Sequence, residues 1–279
     1  MDRLRIALVA LGLAICMGAT AATASAAVPG WELVTSTSET NSHYNKWTDA
    51  DCPSGKQALG GGGSISGGAG QIGMITLGSS VLSFEDQDGF SGNWSQTAWI
   101  ICANPLPGLE TVFAKSGVSS AFSKAATASC PPGKRVISAG VLHDGAVEHA
   151  GEYVLDDLRM NSTLTSVTAI SHEDQDGTLS NWAVSAQAVC AFPPAGLEFV
   201  KSVSAKDSAS AKNAVAGCPA GKRVLGAGGE IHGAVGQVRF TSLFPLSFFG
   251  DGAFVSAAED QDGTAAAWEI RAYAVCATA

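Results

Sequence analysis

Apolar and polar residues alternate along most of the chain, and the last segment before the carboxyl end shows this best. One face carries Trp268, Ile270, Ala272, Ala274 and Cys276, and the other carries Glu269, Arg271 and Tyr273. Because side chains alternate between the two faces of a β-strand, this pattern predicts a strand buried on one side. No stretch after residue 26 sustains a helical period, so we expect an all-β fold with no helix beyond a turn or two.

Three repeats organise this alternation. The block Glu-Asp-Gln-Asp-Gly begins at Glu85, Glu173 and Glu259, and each copy is followed at a fixed spacing by a tryptophan and then by a Cys-Ala pair. A Cys-Pro-x-Gly-Lys motif precedes every block. The short connections between repeats contain proline, so the repeats should pack as one body with approximate threefold symmetry or as a compact row of small modules. The repeats are assigned to residues 27–106, 107–194 and 195–279.

Residues 1–26 have the pattern of a secretory signal peptide. Two arginines precede an apolar stretch, and small residues form a cleavage site before Ala27. A lipid anchor at Cys16 is the alternative, although Ile15 stands where a small residue would be expected. The apolar stretch is short for a membrane span. We therefore expect a secreted, extracellular protein that keeps no membrane span after removal of the signal peptide.

The cysteines indicate disulfides. One of the seven lies in the predicted signal peptide, and the other six are distributed two per repeat. An even number of cysteines in an exported chain is typical of disulfide bonds, and each repeat can close itself if its own two cysteines pair. None of the six has a second cysteine or a histidine at the short spacing of a zinc site. The predicted pairs are Cys52–Cys102, Cys130–Cys190 and Cys218–Cys276.

Charge and motifs exclude several classes of function. A formal net charge of −9, without a dense basic patch, opposes binding to nucleic acid or anionic lipid. The five histidines occupy different places in the different repeats, and none lies in a frame such as Gly-x-Ser-x-Gly or His-Glu-x-x-His. We therefore predict no nucleic-acid partner, no catalytic residues and no enzymatic activity.

The acidic block is the one constellation to which a chemistry can be assigned. Its three carboxylates, in a loop bent by glycine, are hard oxygen ligands that could hold calcium, and no other cofactor is indicated. The block lacks the ligand ladder of a helix-loop-helix calcium site, so the simpler interpretation is a hairpin turn whose carboxylates keep the edge soluble. The candidate calcium ligands are Glu85, Asp86, Asp88, Glu173, Asp174, Asp176, Glu259, Asp260 and Asp262.

The tryptophan that follows each block begins the apolar face of a strand ending in cysteine. A ring in that position is expected to pack in the core beside the disulfide, and stacking on a sugar ring is the alternative. Trp31, Trp47 and Trp99 have no tryptophan counterpart in the other repeats. The sequence therefore does not indicate a sugar-binding platform that is repeated three times.

With these motifs the chain resembles exported actinobacterial proteins that carry repeats of Cys-Pro-x-Gly-Lys-Arg-Val-Leu-Gly and Glu-Asp-x-Asp-Gly, a family that implies no particular activity. The segments 218–226 and 259–263 match this pattern best. Three copies of Cys-Pro-x-Gly, each closing with a strand that ends in cysteine, also resemble the vitelline membrane outer layer protein family, a β-prism. This second resemblance implies three pseudo-equivalent antiparallel sheets, each built by one repeat. Three small packed β-sandwich modules are the alternative.

Export, disulfides, threefold repetition and the lack of a catalytic frame favour a secreted, non-enzymatic binding or structural protein. We expect its partner to be an extracellular polysaccharide or a cell-wall component, because three copies of a unit give multivalent contact. The alternative is a secreted carbohydrate hydrolase. Its carboxylate pair would not be recognisable in the sequence, since the separation of two carboxylates is a three-dimensional property.

Overall fold

A computed structural model describes residues 27–248 and 250–279, and the predicted signal peptide, 1–26, lies outside the described residues. The described chain is all β, as the alternation predicts, with one 3-10 helix at Val147–Glu152. Within these residues there is no helix of the length and apolar character that a membrane crossing requires.

Each repeat folds into six strands. Repeat 1 contains β1 (Glu32–Thr37), β2 (Asn45–Asp49), β3 (Gln57–Ser66), β4 (Ile72–Leu77), β5 (Ser80–Glu85) and β6 (Ser95–Ala103). Repeat 2 contains β7 (Glu110–Lys115), β8 (Ser123–Ser129), β9 (Arg135–Asp144), β10 (Tyr153–Met160), β11 (Ser166–Glu173) and β12 (Ala183–Ala191). Repeat 3 contains β13 (Glu198–Val203), β14 (Ala211–Gly217), β15 (Arg223–His232), β16 (Val238–Leu246), β17 (Gly252–Glu259) and β18 (Glu269–Ala277).

The strands form three antiparallel six-stranded sheets arranged like a prism. The first sheet has the order β1-β6-β3-β16-β17-β14, the second β2-β5-β4-β9-β12-β7 and the third β13-β18-β15-β10-β11-β8. Every sheet therefore joins three strands of one repeat to three strands of a neighbouring repeat. The expectation that each repeat builds its own sheet was wrong. Alternation predicts which face of a strand is buried. It does not predict the strand's partner, because the same face is buried whichever strand lies alongside.

The two halves of each sheet meet over a short central contact. In the first sheet, for example, the contact is the pairing of Ser242 with Ser64 and of Leu243 with Gly63. The other two junctions, β4 with β9 and β10 with β15, also contain two register pairs each. Since these contacts close a cycle through all three repeats, the protein is one body rather than three modules.

The core lies between the three sheets. Trp94, Trp182 and Trp268 are completely buried, as expected for the ring that begins each closing strand. Small residues occupy the places where the sheets approach each other most closely. A Cβ atom on Gly226 would lie 2.5 Å from the carbonyl oxygen of Ile137, so a larger residue would force the sheets apart.

The three predicted disulfides are confirmed. Their Cα–Cα separations are 5.6 Å for Cys52–Cys102 and 5.7 Å for both Cys130–Cys190 and Cys218–Cys276. Each bond ties the connection between the second and third strands of a repeat to its sixth strand, so it links two different sheets. Three such bonds indicate an extracellular or otherwise oxidising environment.

We predict that a single repeat does not fold as a monomer. In residues 27–106 alone, β3 would lose its partner β16 and β4 would lose its partner β9, which leaves two exposed sheet edges and half of each core face uncovered. Any folded form of this fragment should be a closed trimer, since three copies can pair in the same cyclic way. Sedimentation and thermal unfolding of the fragment, beside residues 27–279, check this. A monomer with a cooperative transition would contradict it.

Candidate functional site

The three acidic blocks meet at one end of the prism and form a closed ring of side-chain hydrogen bonds. The glutamine of each block donates to the last aspartate of the next block. Gln175 Nε2 lies 2.7 Å from Asp262 Oδ2, and the equivalent pairs are Gln87 with Asp176 and Gln261 with Asp88. Since the third pair returns to the first block, the ring ties all three repeats together around the pseudo-threefold axis.

The glutamate of each block holds the buried tryptophan. Glu85 accepts a hydrogen bond from Trp94 Nε1 at 2.9 Å, and the distances for the equivalent pairs in repeats 2 and 3 are 2.8 Å and 3.0 Å. Its second oxygen accepts the backbone N–H five residues further on, that of Phe90, at 3.1 Å. The indole N–H, which would otherwise be buried without a partner, is thereby satisfied.

A lysine, which the sequence analysis missed, covers each tryptophan. Lys46, Lys124 and Lys212 lie 4.5, 5.3 and 4.9 Å from the ring centroids of their tryptophans, a cation–π geometry. Each lysine side chain is largely buried. The signal was present in the sequence, because each lysine stands at the same distance before the first cysteine of its repeat.

One arginine sits at the centre of the ring. Arg239 is 2% exposed; its Nη1 donates to the carbonyl oxygen of Gly151 at 2.6 Å and its Nη2 to Asp174 Oδ2 at 2.8 Å. Asp86 Oδ2 lies 3.9 Å from the same Nη2. The position that Arg239 occupies on β16 corresponds to Gly73 on β4, and a Cβ atom there would lie 3.1 Å from the Arg239 guanidinium. The guanidinium of Arg239 therefore occupies space that Gly73 of repeat 1 leaves open.

The carboxylates around Arg239 outnumber its single charge. Asp86, Asp174, Asp260 and Glu152 are all buried at this end of the prism. Burial raises the pKa of Asp86 to about 6, against the opposing effect of Arg239. Burial, together with the neighbouring Asp174 carboxylate, raises the pKa of Glu152 to about 8. Burial also raises the pKa of Asp260. Near neutral pH, Glu152 therefore keeps a proton that it would lose in the unfolded chain.

Several of the candidate calcium ligands have protein partners in this arrangement. The backbone N–H groups of Asp176 and Gly177 donate to Asp174 Oδ1 at 3.2 and 3.1 Å, and the same pattern recurs at Asp260. Among residues 27–248 and 250–279, no three or more His, Cys, Asp or Glu side chains are grouped so that they could hold a metal ion. Calcium binding by the blocks stays a prediction. The glycine of each block has a positive φ and closes a turn.

The outer face of the first sheet carries aromatic rings from three strands. Trp99 on β6 stacks on Phe244 on β16 at 4.5 Å, and Phe244 contacts Phe254 on β17 at 5.2 Å. Gly62 on β3 lies between the first two rings, and a Cβ atom there would lie 2.8 Å from the Phe244 Cα. Phe248, which is 56% exposed, extends the group at 6.0 Å from Trp99. The sequence analysis missed this group, because its members are far apart in the chain.

A row of hydroxyl groups runs beside these rings. Five neighbouring strands of the first sheet each contribute one serine or threonine in register, and none of the five is buried. The row consists of Thr37, Thr97, Ser64, Ser242 and Ser256. Together the rings and the hydroxyls form a surface, which we call the aromatic face.

The outer face of the third sheet is charged at the same positions. Asp157 pairs with Glu230 across β10 and β15, and both are buried. Glu230 accepts from Arg271 Nη1 at 2.6 Å and from the Tyr273 hydroxyl. Burial, with the adjacent Asp156 carboxylate, raises the pKa of Asp157 to about 7.

The second sheet differs again. Its exposed aromatic residues, Trp47 and Phe113, stand on the two edge strands β2 and β7 rather than in a central row. The three repeats therefore share their interior and not their outer faces. A comparison with models of known protein families and with curated proteins found no match, and so identified no enzyme family. The two resemblances given above stay expectations.

We predict that Arg239→Met lowers the free energy of unfolding by about 3–5 kcal/mol, because it leaves buried carboxylates without a compensating charge. The loss should be larger at pH 8 than at pH 5, where the carboxylates can take up protons instead. Chemical denaturation at both pH values measures this. Arg135→Met, on a half-buried arginine that bonds to a backbone carbonyl, is the control and should cost less than about 1 kcal/mol. Equal losses for the two variants would contradict the role of Arg239.

We also predict that stability falls as the pH rises from about 4.5 towards 8. The pKa of Glu152 is raised in the folded protein from an ordinary 4.5 to about 8, so over this range the folded state binds more protons than the unfolded state. Each such group lowers the free energy of unfolding by at most about 1.4 kcal/mol per pH unit. Glu152→Gln should flatten the fall, whereas Glu39→Gln, on an exposed residue, should not. An unchanged pH profile in Glu152→Gln would refute the assignment.

Proposed function

We propose that the protein is an exported, non-enzymatic binding protein whose aromatic face binds polysaccharide. The signal-peptide pattern and the three disulfides support an extracellular role. The observation that carries the proposal is the group formed by Trp99, Phe244 and Phe254 on the outer side of a sheet, in which Trp99 and Phe254 are partly exposed and Phe244 is buried against both. Apolar surface of this kind on a soluble protein commonly marks a binding site.

The chemistry of the aromatic face suits a sugar chain. The face of an aromatic ring carries partial negative charge and attracts the C–H groups on one side of a pyranose ring. The neighbouring row of serine and threonine hydroxyls can both donate and accept hydrogen bonds, as sugar hydroxyls require. Because adjacent strands are about 4.8 Å apart, a row across five strands spans roughly 19 Å, enough for several sugar units.

The proposal concerns one face and not three. The outer faces of the other two sheets carry charged or mixed residues at the corresponding positions, so multivalent contact through three equal sites does not support it. The rings stack mainly on each other, which fixes their positions before a ligand arrives. Such preorganisation reduces the entropy that binding would otherwise cost.

A secreted carbohydrate hydrolase is the second candidate, and the third sheet supplies an observation in its favour. Asp157 and Glu230 form a cross-strand carboxylate pair with different environments. The pKa of Asp157 is raised to about 7, whereas Glu230 accepts hydrogen bonds from Arg271 and Tyr273. A carboxyl that keeps its proton beside a second carboxyl that accepts hydrogen bonds from a cation resembles the pair that glycoside hydrolysis uses.

We predict that the mature protein is retained on insoluble cell-wall or plant polysaccharide and that the double variant Trp99→Ala, Phe254→Ala loses at least tenfold in retention. Removal of the two rings takes away the apolar contact surface but leaves the core untouched. A pull-down with quantified bound fraction measures the effect. The same samples are assayed for released reducing sugar.

The matched control is Trp47→Ala, Phe113→Ala, which removes two exposed rings from the second sheet and should bind like the wild type. Melting curves of both variants check that they remain folded. Equal loss in the two double variants, or no retention of the wild type on any polymer, would refute the role of the aromatic face. Released sugar that disappears in Asp157→Asn would support the hydrolase instead.

A further inference from the structure

A cavity of about 230 Å³ lies at the corner where the first acidic block meets repeat 2. Tyr44 and Phe84 form its apolar side, and their rings are 5.9 Å apart. Asp86 and Glu152 form its acidic side. Tyr44 is 52% exposed and marks the rim, whereas Phe84 is buried. The volume is below that of a drug-sized pocket and suits a small group or a single side chain.

Two buried oxygen atoms of this cavity lack a donor. Asp86 Oδ1 and Glu152 Oε2 accept no hydrogen bond from the protein, although the two residues are only 7% and 5% exposed. An unsatisfied buried acceptor is costly, and a buried carboxylate is more costly still. The nearest cation, Arg239, already donates to the carbonyl oxygen of Gly151 and to Asp174. The acidic side therefore offers unused acceptors to an additional cation.

The two equivalent corners of the prism differ from this one in chemistry. The residue corresponding to Glu152 is Gln237 at one corner and Gln71 at the other. Gln237 Nε2 donates to Gln175 Oε1 at 2.9 Å, and Gln71 Nε2 donates to the Gly89 carbonyl oxygen at 3.3 Å. The Tyr44 position, whose carbonyl accepts the N–H of the block glutamate, is Phe122 in repeat 2 and Ser210 in repeat 3. The carboxylate of Glu152 and the aromatic ring of Tyr44 thus occur together at one of the three corners.

We propose that this cavity binds an alkylammonium group, with the ammonium at Asp86 and Glu152 and the alkyl chain against Tyr44 and Phe84. Three N–H donors of an ammonium match the two free carboxylate oxygens and leave one donor for water or a backbone carbonyl. The aromatic rings contact the alkyl chain and attract the positive charge. An inorganic cation would lack the apolar contact between alkyl chain and rings. The ammonium can come from a free amine or from a lysine side chain of another polypeptide.

The proposal does not depend on polysaccharide binding, because the cavity and the aromatic face lie on different residues. The mature chain, residues 27–279, is titrated at pH 8 by calorimetry with n-butylammonium, with Nα-acetyl-lysine methylamide and with neutral 1-butanol. We expect both amines to bind and 1-butanol not to bind. If the lysine compound binds at least as well as butylammonium, the source includes polypeptides. If only butylammonium binds, the source of the ammonium group is a free amine.

Variants separate the cavity from general surface charge. Glu152→Gln makes this corner chemically like the other two, and it should weaken butylammonium binding at least tenfold. Tyr44→Ala, on an exposed residue whose loss does not threaten folding, should weaken binding at least threefold. Gln237→Asn at an equivalent corner is the matched control and should change affinity less than twofold. Wild-type affinity in Glu152→Gln, equal binding of 1-butanol, or no amine binding at all would overturn the proposal.

Discussion

The fold depends on the sharing of every sheet between two repeats. A repeat contributes three strands to one sheet and three to the next, so neither half-sheet can be completed without the neighbouring repeats. The central contacts are short, with two register pairs each, and cannot by themselves fix how the halves are aligned. Contacts at the two ends of the strands fix the alignment of the two halves instead. The ring of acidic blocks lies near Trp94 at the start of β6, and the disulfide of Cys102 lies near its end.

This division of roles explains why all five residues of the acidic block are identical in the three repeats. The glutamate satisfies the buried indole, the first aspartate lies at the centre, the glutamine and second aspartate join neighbouring blocks, and the glycine closes the turn. Each residue has a different partner, so none can change without loss of a specific contact. These contacts within the protein account for the identity of the block in the three repeats.

Local chemistry was predictable from the sequence, and pairing between distant segments was not. Alternation at 268–276 correctly predicted the buried face of β18, and cysteine spacing correctly predicted the disulfides. The expectation that β18 is buried on one side only was wrong for its second half, because Tyr273 and Val275 on the opposite face are buried as well. Strand partners across repeats were mispredicted, because β3 buries the same residues beside β16 as it would beside a strand of its own repeat. The aromatic face could not be predicted from the sequence for a related reason. Trp99 and Phe244 are separated by all of repeat 2 and part of repeat 3, and only the register through Gly62 brings them together.

The departures from threefold symmetry at the acidic end are physically connected. The buried aspartates near the axis are compensated by one guanidinium, because the position of Arg239 is Gly73 in repeat 1 and Val154 in repeat 2, and Gly73 leaves space beside the guanidinium. Arg239 must approach the axis from one side, and it bonds there to Gly151 and Asp174. Asp86 Oδ1 and Glu152 Oε2 accept no hydrogen bond from the protein, and the cavity beside Tyr44 opens at these two residues. Because the equivalent corners have Gln237 and Gln71 in place of Glu152, this corner is more acidic than the other two, and it is the corner at which we place a further cation.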